Sequence, residues 1–520
     1  MPAASTSARD DLIIVGGGMG GLATAALARR RGLRVTLLEA HTQLGGCSGH
    51  FSRGDYHFDV GATALMGLGP GEPIAALLAE VGVPFRGTPT PSYRVCLPDR
   101  TLDIVADRPT FERTLAATFP GRDRRRRAFW RLQEAVGSTL FAVASRVPRL
   151  PARTWRDLAH DLQILGLPGL LAASTWLLTV DDVLRLLGLR GDAPFRALVA
   201  MLLQDTAQAG PEVVPFAHAA ACLQAYRAGM SRPVGGMAAL AEGIGDRFVA
   251  LGGDLRRGTI ADRVEPDPAG GWLVTTRRRD VLRAREVAFN LPLDLAARLL
   301  GRPLGGMIAR REAASRAAWG ACTAYLAIDR RAVPDAAPLF HQVLQDYGRG
   351  PHDGNNVLIS LSPVGDPGYG PPDVRVATLS THTAPDLWTG RDRAAHAARK
   401  QDYGDRLLRA LGRALPDAPG HLRHVEFATP RGWQRYTRRT GGAVGGAPVS
   451  RRNSTFFAVD ADVFGPGLWV VGDSVFPGQG TMATVLSAIR VVERITGQTW
   501  RPARGAPGRE PTRLAAARRT

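Results

Sequence analysis

A chain of 520 residues exceeds what one hydrophobic core organises, so two or more lobes are expected. With 45% hydrophobic and 22% charged residues it is neither disordered nor fibrous. The net charge of +19 is almost wholly arginine, Lys400 being the single lysine, and no aromatic-interleaved basic groove accompanies it, which argues against nucleic acid as a partner.

In chain order, Met1–Asp11 is small and polar and lacks the apolar core of a secretory signal. Leu12–Val15 is a short apolar run ending at glycines, the pattern of a buried parallel strand. Gly16, Gly18 and Gly21 follow at G-x-G-x-x-G spacing, with Met19 and Gly20 between them. The first glycine permits a tight turn, the second admits a pyrophosphate, and the third lets a helix pack on the strand. That helix, Leu22 to about Arg31, presents free N–H groups and its positive dipole end to phosphate. Strand Leu33–Leu38 then delivers Glu39, a carboxylate acceptor for a ribose hydroxyl. Together these elements predict a dinucleotide site in an α/β, Rossmann-type domain.

Leu162–Val180 carries no charge over 19 residues, but Pro168-Gly169 would break a spanning helix in mid-bilayer. Two amphipathic pieces at an apolar cavity or on a membrane surface are expected instead, with Arg149, Arg153 and Arg156 suited to anionic lipid. Gly235-Gly236 opens a return to the nucleotide domain, through a helix (Met237–Leu251) and strands around Leu255–Glu265, Trp272–Thr276 and Val287–Asn290. Alternation in Thr323–Ile328, Val357–Leu361 and Val374–Thr381 predicts a sheet in a second domain. A last return is strand Leu468–Val471, then Gly472-Asp473, then Gly478 and Gly480 opening a helix at Thr481. A carboxylate and N–H donors there suit the ribityl side of a flavin, although Asp473 alone reads equally as a helix N-cap. The four cysteines, Cys47, Cys96, Cys222 and Cys322, are too far apart for a zinc site or disulfide framework and fit a reducing compartment.

At this point the chain resembles a family. Gly45-Gly46-Cys47-Ser48-Gly49 with Phe51, Arg53, Tyr56, Phe58-Asp59 and Gly61 is similar to the second N-terminal signature of carotenoid desaturases and isomerases. Arg232-Pro233-Val234-Gly235-Gly236-Met237 with Leu240 is similar to their middle signature, and Gly472–Gly480 to their C-terminal flavin signature, in the version of carotenoid isomerases and terminal 3,4-desaturases. Thr429-Pro430, Tyr436-Thr437 and Gly441-Gly442 fall where that family approaches its substrate. The resemblance implies FAD, with Gly16, Gly18, Gly21 and Glu39 on its adenosine diphosphate half, Gly45 and Gly46 near the pyrophosphate, Val264 at the adenine, and Asp473 on the flavin side. It supplies no acid–base pair, so no catalytic side chain is assigned; His50 and His57 read as loop hydrogen-bonders and Cys47 as a small packing residue.

The expected architecture is an FAD-binding domain built from 1–85, 235–295 and 462–497, around an α+β substrate domain built from 86–234 and 296–461, with a disordered basic tail at 498–520. The expected function is FAD-dependent desaturation of a long apolar polyene by an enzyme held peripherally on the cytoplasmic membrane, with no metal. A cis–trans isomerase using reduced FAD is the close alternative. A retinol saturase-like reductase, an amine-oxidase-like enzyme and a non-catalytic polyene binder stand behind it.

Overall fold

The computed structural model describes residues 9–500 apart from 70, 307, 310–317 and 391; most of the basic tail lies outside the described residues. Strand Asp10–Val15 has Leu12, Ile13 and Ile14 fully buried, because it is paired on both edges and covered on both faces. The following helix, Met19–Arg30, begins three residues earlier than Leu22: Gly18 in extended backbone is already its N-cap, so Met19-Gly20-Gly21 form the first turn. No side chain caps that turn and no acidic residue lies in it.

One seven-stranded sheet brings together three distant parts of the chain. Asp10–Val15 lies between Val35–Leu38 and Val281–Phe289 in parallel register, Ile14 opposite both Leu37 and Ala288. Asp254–Arg256 extends one edge, and Leu468–Val470 pairs parallel with Val281–Phe289. Ala261–Pro266 and Trp272–Thr276 complete it as antiparallel strands. Helices Met19–Arg30, Gly236–Ala250 and Thr481–Thr496 pack on one face of it, around Leu22, Ile244 and Ile489.

A second seven-stranded sheet joins Ser92–Cys96 and Thr101–Val105 to five strands between Gly320 and Ala428. Strand Gly320–Asp329, second from one edge, is buried at every position, so it does not read as an alternating strand. Helix Arg393–Ala414 covers one face through Leu407, Ala410 and Leu411. On the other side a helical layer with Phe129, Phe195 and Phe216 at its centre closes the largest core.

A buried ion pair on two short strands outside both sheets, Tyr56–Asp59 and Met230–Pro233, links Leu361 of the second sheet to the helix Gly236–Ala250 packed on the first. Arg232 is 0% exposed; its Nη2 donates to Asp59 Oδ2 at 2.9 Å and its Nε to the Tyr369 hydroxyl at 2.8 Å. Asp59 Oδ1 accepts the Met237 N–H at the start of the Gly236–Ala250 helix at 2.9 Å. The middle signature and the Phe58-Asp59 motif are therefore two halves of one contact.

Most of the uncharged stretch lies in helix Trp155–Ser174, which starts at a capping box of Thr154 and Asp157. Its break is at Gly166, in left-handed φ (+57°), rather than at Pro168-Gly169; Pro168 sits just past the break, where its missing N–H does little harm. No helix among the described residues is long and apolar enough to cross a membrane.

Candidate functional site

A cavity of about 1230 Å³ runs from the carboxyl ends of the parallel strands into the helical layer. It exceeds the roughly 300–1,000 Å³ of a single small-molecule site, so it has room for a dinucleotide and a second ligand together. Its two halves differ in chemistry.

The first half is backbone and glycine. Gly16, Gly18, Met19, Gly20, Glu39, Gly45 and Gly46 line it, as do Gly472, Asp473, Gly480 and Thr481. At several of these glycines nothing larger fits. A Cβ on Gly18 would stand 2.7 Å from Asn290 Nδ2; one on Gly20 or Gly472 would stand 2.8 Å from Asn290 Oδ1. Open N–H groups at the uncapped starts of Met19–Arg30 and Thr481–Thr496 face the same space, the arrangement that holds phosphate and flavin oxygens. These residues fit a flavin dinucleotide.

Glu39 Oε2 accepts the Gly17 N–H at 2.6 Å and Oε1 the His41 N–H at 2.7 Å, which fixes the carboxylate at the cavity wall with lone pairs left for a ribose. Burial pushes its carboxyl up, against the downward pull of those two bonds. Asp473 is not a helix N-cap: Gly480 holds that position. Its carboxylate instead accepts Arg439 Nη2 at 2.6 Å, and Arg439 also donates to the Gly445 carbonyl.

Two assigned residues lie off the cavity lining. Gly21 packs against the strand turn, where a Cβ would stand 2.0 Å from the Gly16 carbonyl oxygen. Val264 is buried in the sheet core with Val274 and Leu282, and the wall on that side is made by Thr259–Asp262 just before it. His50 lies 3.6 Å from Glu242 and His57 bonds Ser52, both away from the cavity. Cys47 lines it beside Arg439, and burial pushes the thiol up. Tyr436 is exposed at the rim against His41, on the nucleotide side rather than deep in the second half. Asn290 and Arg439 were not singled out from sequence. Asn290 had a usable signal, since it ends a strand parallel to the first, where such sheets bind ligands.

The second half is apolar: Met66, Leu140, Ala217, Ala221, Phe340 and Leu358 are among its walls. It opens beneath the kinked helix, where Leu158, Leu162, Leu170 and Phe456 line the cavity and are also exposed outside. Leu167 (71% exposed), Leu171, Leu177 and Phe457 continue this apolar surface around the mouth. Arg153 is engaged by Asp460 and Asp462 and Arg149 by Asp157, while Arg156 lies over the exposed Trp155 ring. Of the three upstream arginines, Arg156 alone presents its charge beside this surface.

A family profile described as flavin containing amine oxidoreductase matches residues 19–496. A chloroplastic prolycopene isomerase of Arabidopsis thaliana is 24% identical over 511 residues, covering 93% of this chain and 82% of that one. A lycopene-forming phytoene desaturase of a Paracoccus species is 25% identical over 508 residues, covering 94% and 96%. Among solved structures, cyclohexylamine oxidase from Brevibacterium oxydans superposes with a TM-score of 0.63 at 16% identity, covering 94% of this chain and 99% of that one, a likeness of fold.

Proposed function

The chain belongs to the flavin containing amine oxidoreductase family and is an FAD-dependent oxidoreductase, and on that premise we propose that it desaturates a long apolar isoprenoid polyene of the carotenoid class. The observation that carries this is the second half of the cavity, a deep apolar space continuous with the dinucleotide cradle and opening on an apolar surface. Nearly full-length similarity to a phytoene desaturase supports the same substrate class.

The flavin, when bound, supplies a two-electron acceptor that takes hydrogen from carbon as hydride. The chain's part is binding and exclusion of water. The uncapped helix starts and Glu39 hold the dinucleotide, and the largely apolar walls lay a polyene against it.

We assign the kinked helix a peripheral place on the cytoplasmic membrane. Leu167, Leu171 and Leu177 enter the acyl boundary, and Arg156, Arg451 and Arg452 meet the headgroups, at about 1 kcal/mol per basic residue. The cavity mouth then faces the lipid in which such a substrate dissolves.

Similarity over nearly the whole chain to prolycopene isomerases favours a second reaction on the same substrate class, cis–trans isomerisation with reduced FAD. Expression in a bacterial host that accumulates acyclic carotenoids separates the two. Desaturation yields a red-shifted product lighter by pairs of hydrogens; isomerisation yields unchanged mass and altered retention. A flavin-loaded protein that leaves every carotenoid unchanged overturns the proposal.

A further inference from the structure

The boundary between the two halves of the cavity carries a half-buried acid. Asp205, near the end of helix Ala193–Thr206, lines the cavity. Its neighbour Thr206 accepts a hydrogen bond from Gln479 Nε2 at 2.6 Å, and Gln479 directly precedes Gly480 of the flavin-side glycines. Gln208 Nε2 bonds the Val444 carbonyl at 2.7 Å, so the whole turn is fastened to the dinucleotide half.

The other carboxylates of the lining are engaged or exposed. Asp473 has Arg439, Glu39 has two backbone N–H groups, Asp161 takes the Arg149 N–H and lies beside His160, and Asp262 is exposed at the far side. Asp205 has a neutral partner only: its Oδ2 accepts the Tyr226 hydroxyl at 3.1 Å. Tyr226 is held by the edge of the Tyr93 ring at 4.6 Å, and Tyr93 is anchored by its hydroxyl on Gln342.

We infer that Asp205 is a catalytic residue that takes the proton released from the polyene. This rests on the substrate proposed above. One C–H bond gives its hydrogen and both electrons to the oxidised flavin. The C–H bond on the adjacent carbon gives its proton to an Asp205 carboxylate oxygen, and its electron pair closes the new C=C bond. Two hydrogens leave the substrate, two electrons are held by the cofactor, and Tyr226 keeps the carboxylate aimed.

Burial pushes the Asp205 carboxyl up to about 6, partly opposed by the Tyr226 bond. The groups facing it do not titrate there. Burial drives His218 down to about 4 and Cys222 up to about 12, and raises the phenols of Tyr226 and Tyr93 well above their usual range. Near pH 6 the proton of this corner belongs to Asp205.

The test uses the purified holoenzyme with an acyclic carotenoid in liposomes, without oxygen, and follows bleaching of the flavin in a single turnover between about pH 5 and 8. Wild type is expected to gain rate through an ionisation near pH 6. Asp205→Asn should lose about 10²–10⁴-fold in rate and the ionisation with it, and Tyr226→Phe should keep activity with the rise moved to higher pH. Unchanged rate and profile in Asp205→Asn, or the same loss of ionisation in His218→Gln, overturns the assignment.

A second readout needs no substrate. A carboxyl whose pKa rises on folding makes the native state hold the proton, so wild-type stability falls as pH climbs from about 4 past 6. The Asn variant should therefore gain in Tm over wild type across that window. A gap independent of pH overturns the role of Asp205, whereas a wild type that shows the gap but never bleaches with carotenoid overturns the substrate instead.

Discussion

Replacing Asp59 with Asn should loosen the joint between the two seven-stranded sheets, at a cost that follows from burial. The substitution preserves shape and leaves Oδ1 to accept the Met237 N–H. It places an NH₂ against two donors, the Arg232 guanidinium and the Tyr369 hydroxyl, and leaves the Arg232 charge unpaired at 0% exposure. Breaking one side of a buried pair costs about 3–5 kcal/mol. With an unfolding entropy of roughly 2 cal/mol/K per residue, a chain of this size changes by about 1 kcal/mol per degree, so Tm should fall by ~3–5 °C. Arg232→Met should lower it as well, and the double variant should cost clearly less than the sum, since it removes the stranded charge. Thermal unfolding followed by circular dichroism and by release of flavin fluorescence measures both effects. The exposed pair Arg298–Asp294 is the control, worth about 0.3–0.5 kcal/mol and therefore under a degree. A drop below about 1 °C in Asp59→Asn, or strict additivity in the double variant, would refute the buried-pair account.

Gly472→Ala should weaken FAD retention about tenfold to a hundredfold, because φ is +104° and the new Cβ meets Asn290 Oδ1 at 2.8 Å. Gly32→Ala, equally left-handed but in open space, should cost stability and leave the ratio of flavin to protein absorbance unchanged. Leu167→Asp with Leu171→Asp should abolish flotation with anionic vesicles while the flavin spectrum stays as in wild type; retained flotation would place the membrane contact elsewhere.

The parallel strands, the glycine turn and the acid after the second strand were legible in the sequence because each is a local rule: an apolar run, a fixed spacing, a strand end. Gly16, Gly18, Met19, Gly20 and Glu39 line the cavity for reasons visible within thirty residues of chain, and Gly472, Asp473, Gly480 and Thr481 for similar ones. The break in the uncharged helix was legible only approximately, since whether Gly166 or Pro168 breaks it depends on what each half packs against. Val264 illustrates the limit at a strand: its period-2 direction, not its neighbourhood, decides whether it faces core or ligand, and here it faces the core. Tertiary structure alone decided three things. It joined Asp59 to Arg232 across 173 residues, set Arg439 on Asp473, and brought Asp205 to the boundary between the cradle and the apolar cavity. Motifs mark Asp59, Arg232 and Asp473 one by one, but no periodic or motif signal gives the pairings, because a buried charge is specified by a partner distant in the chain.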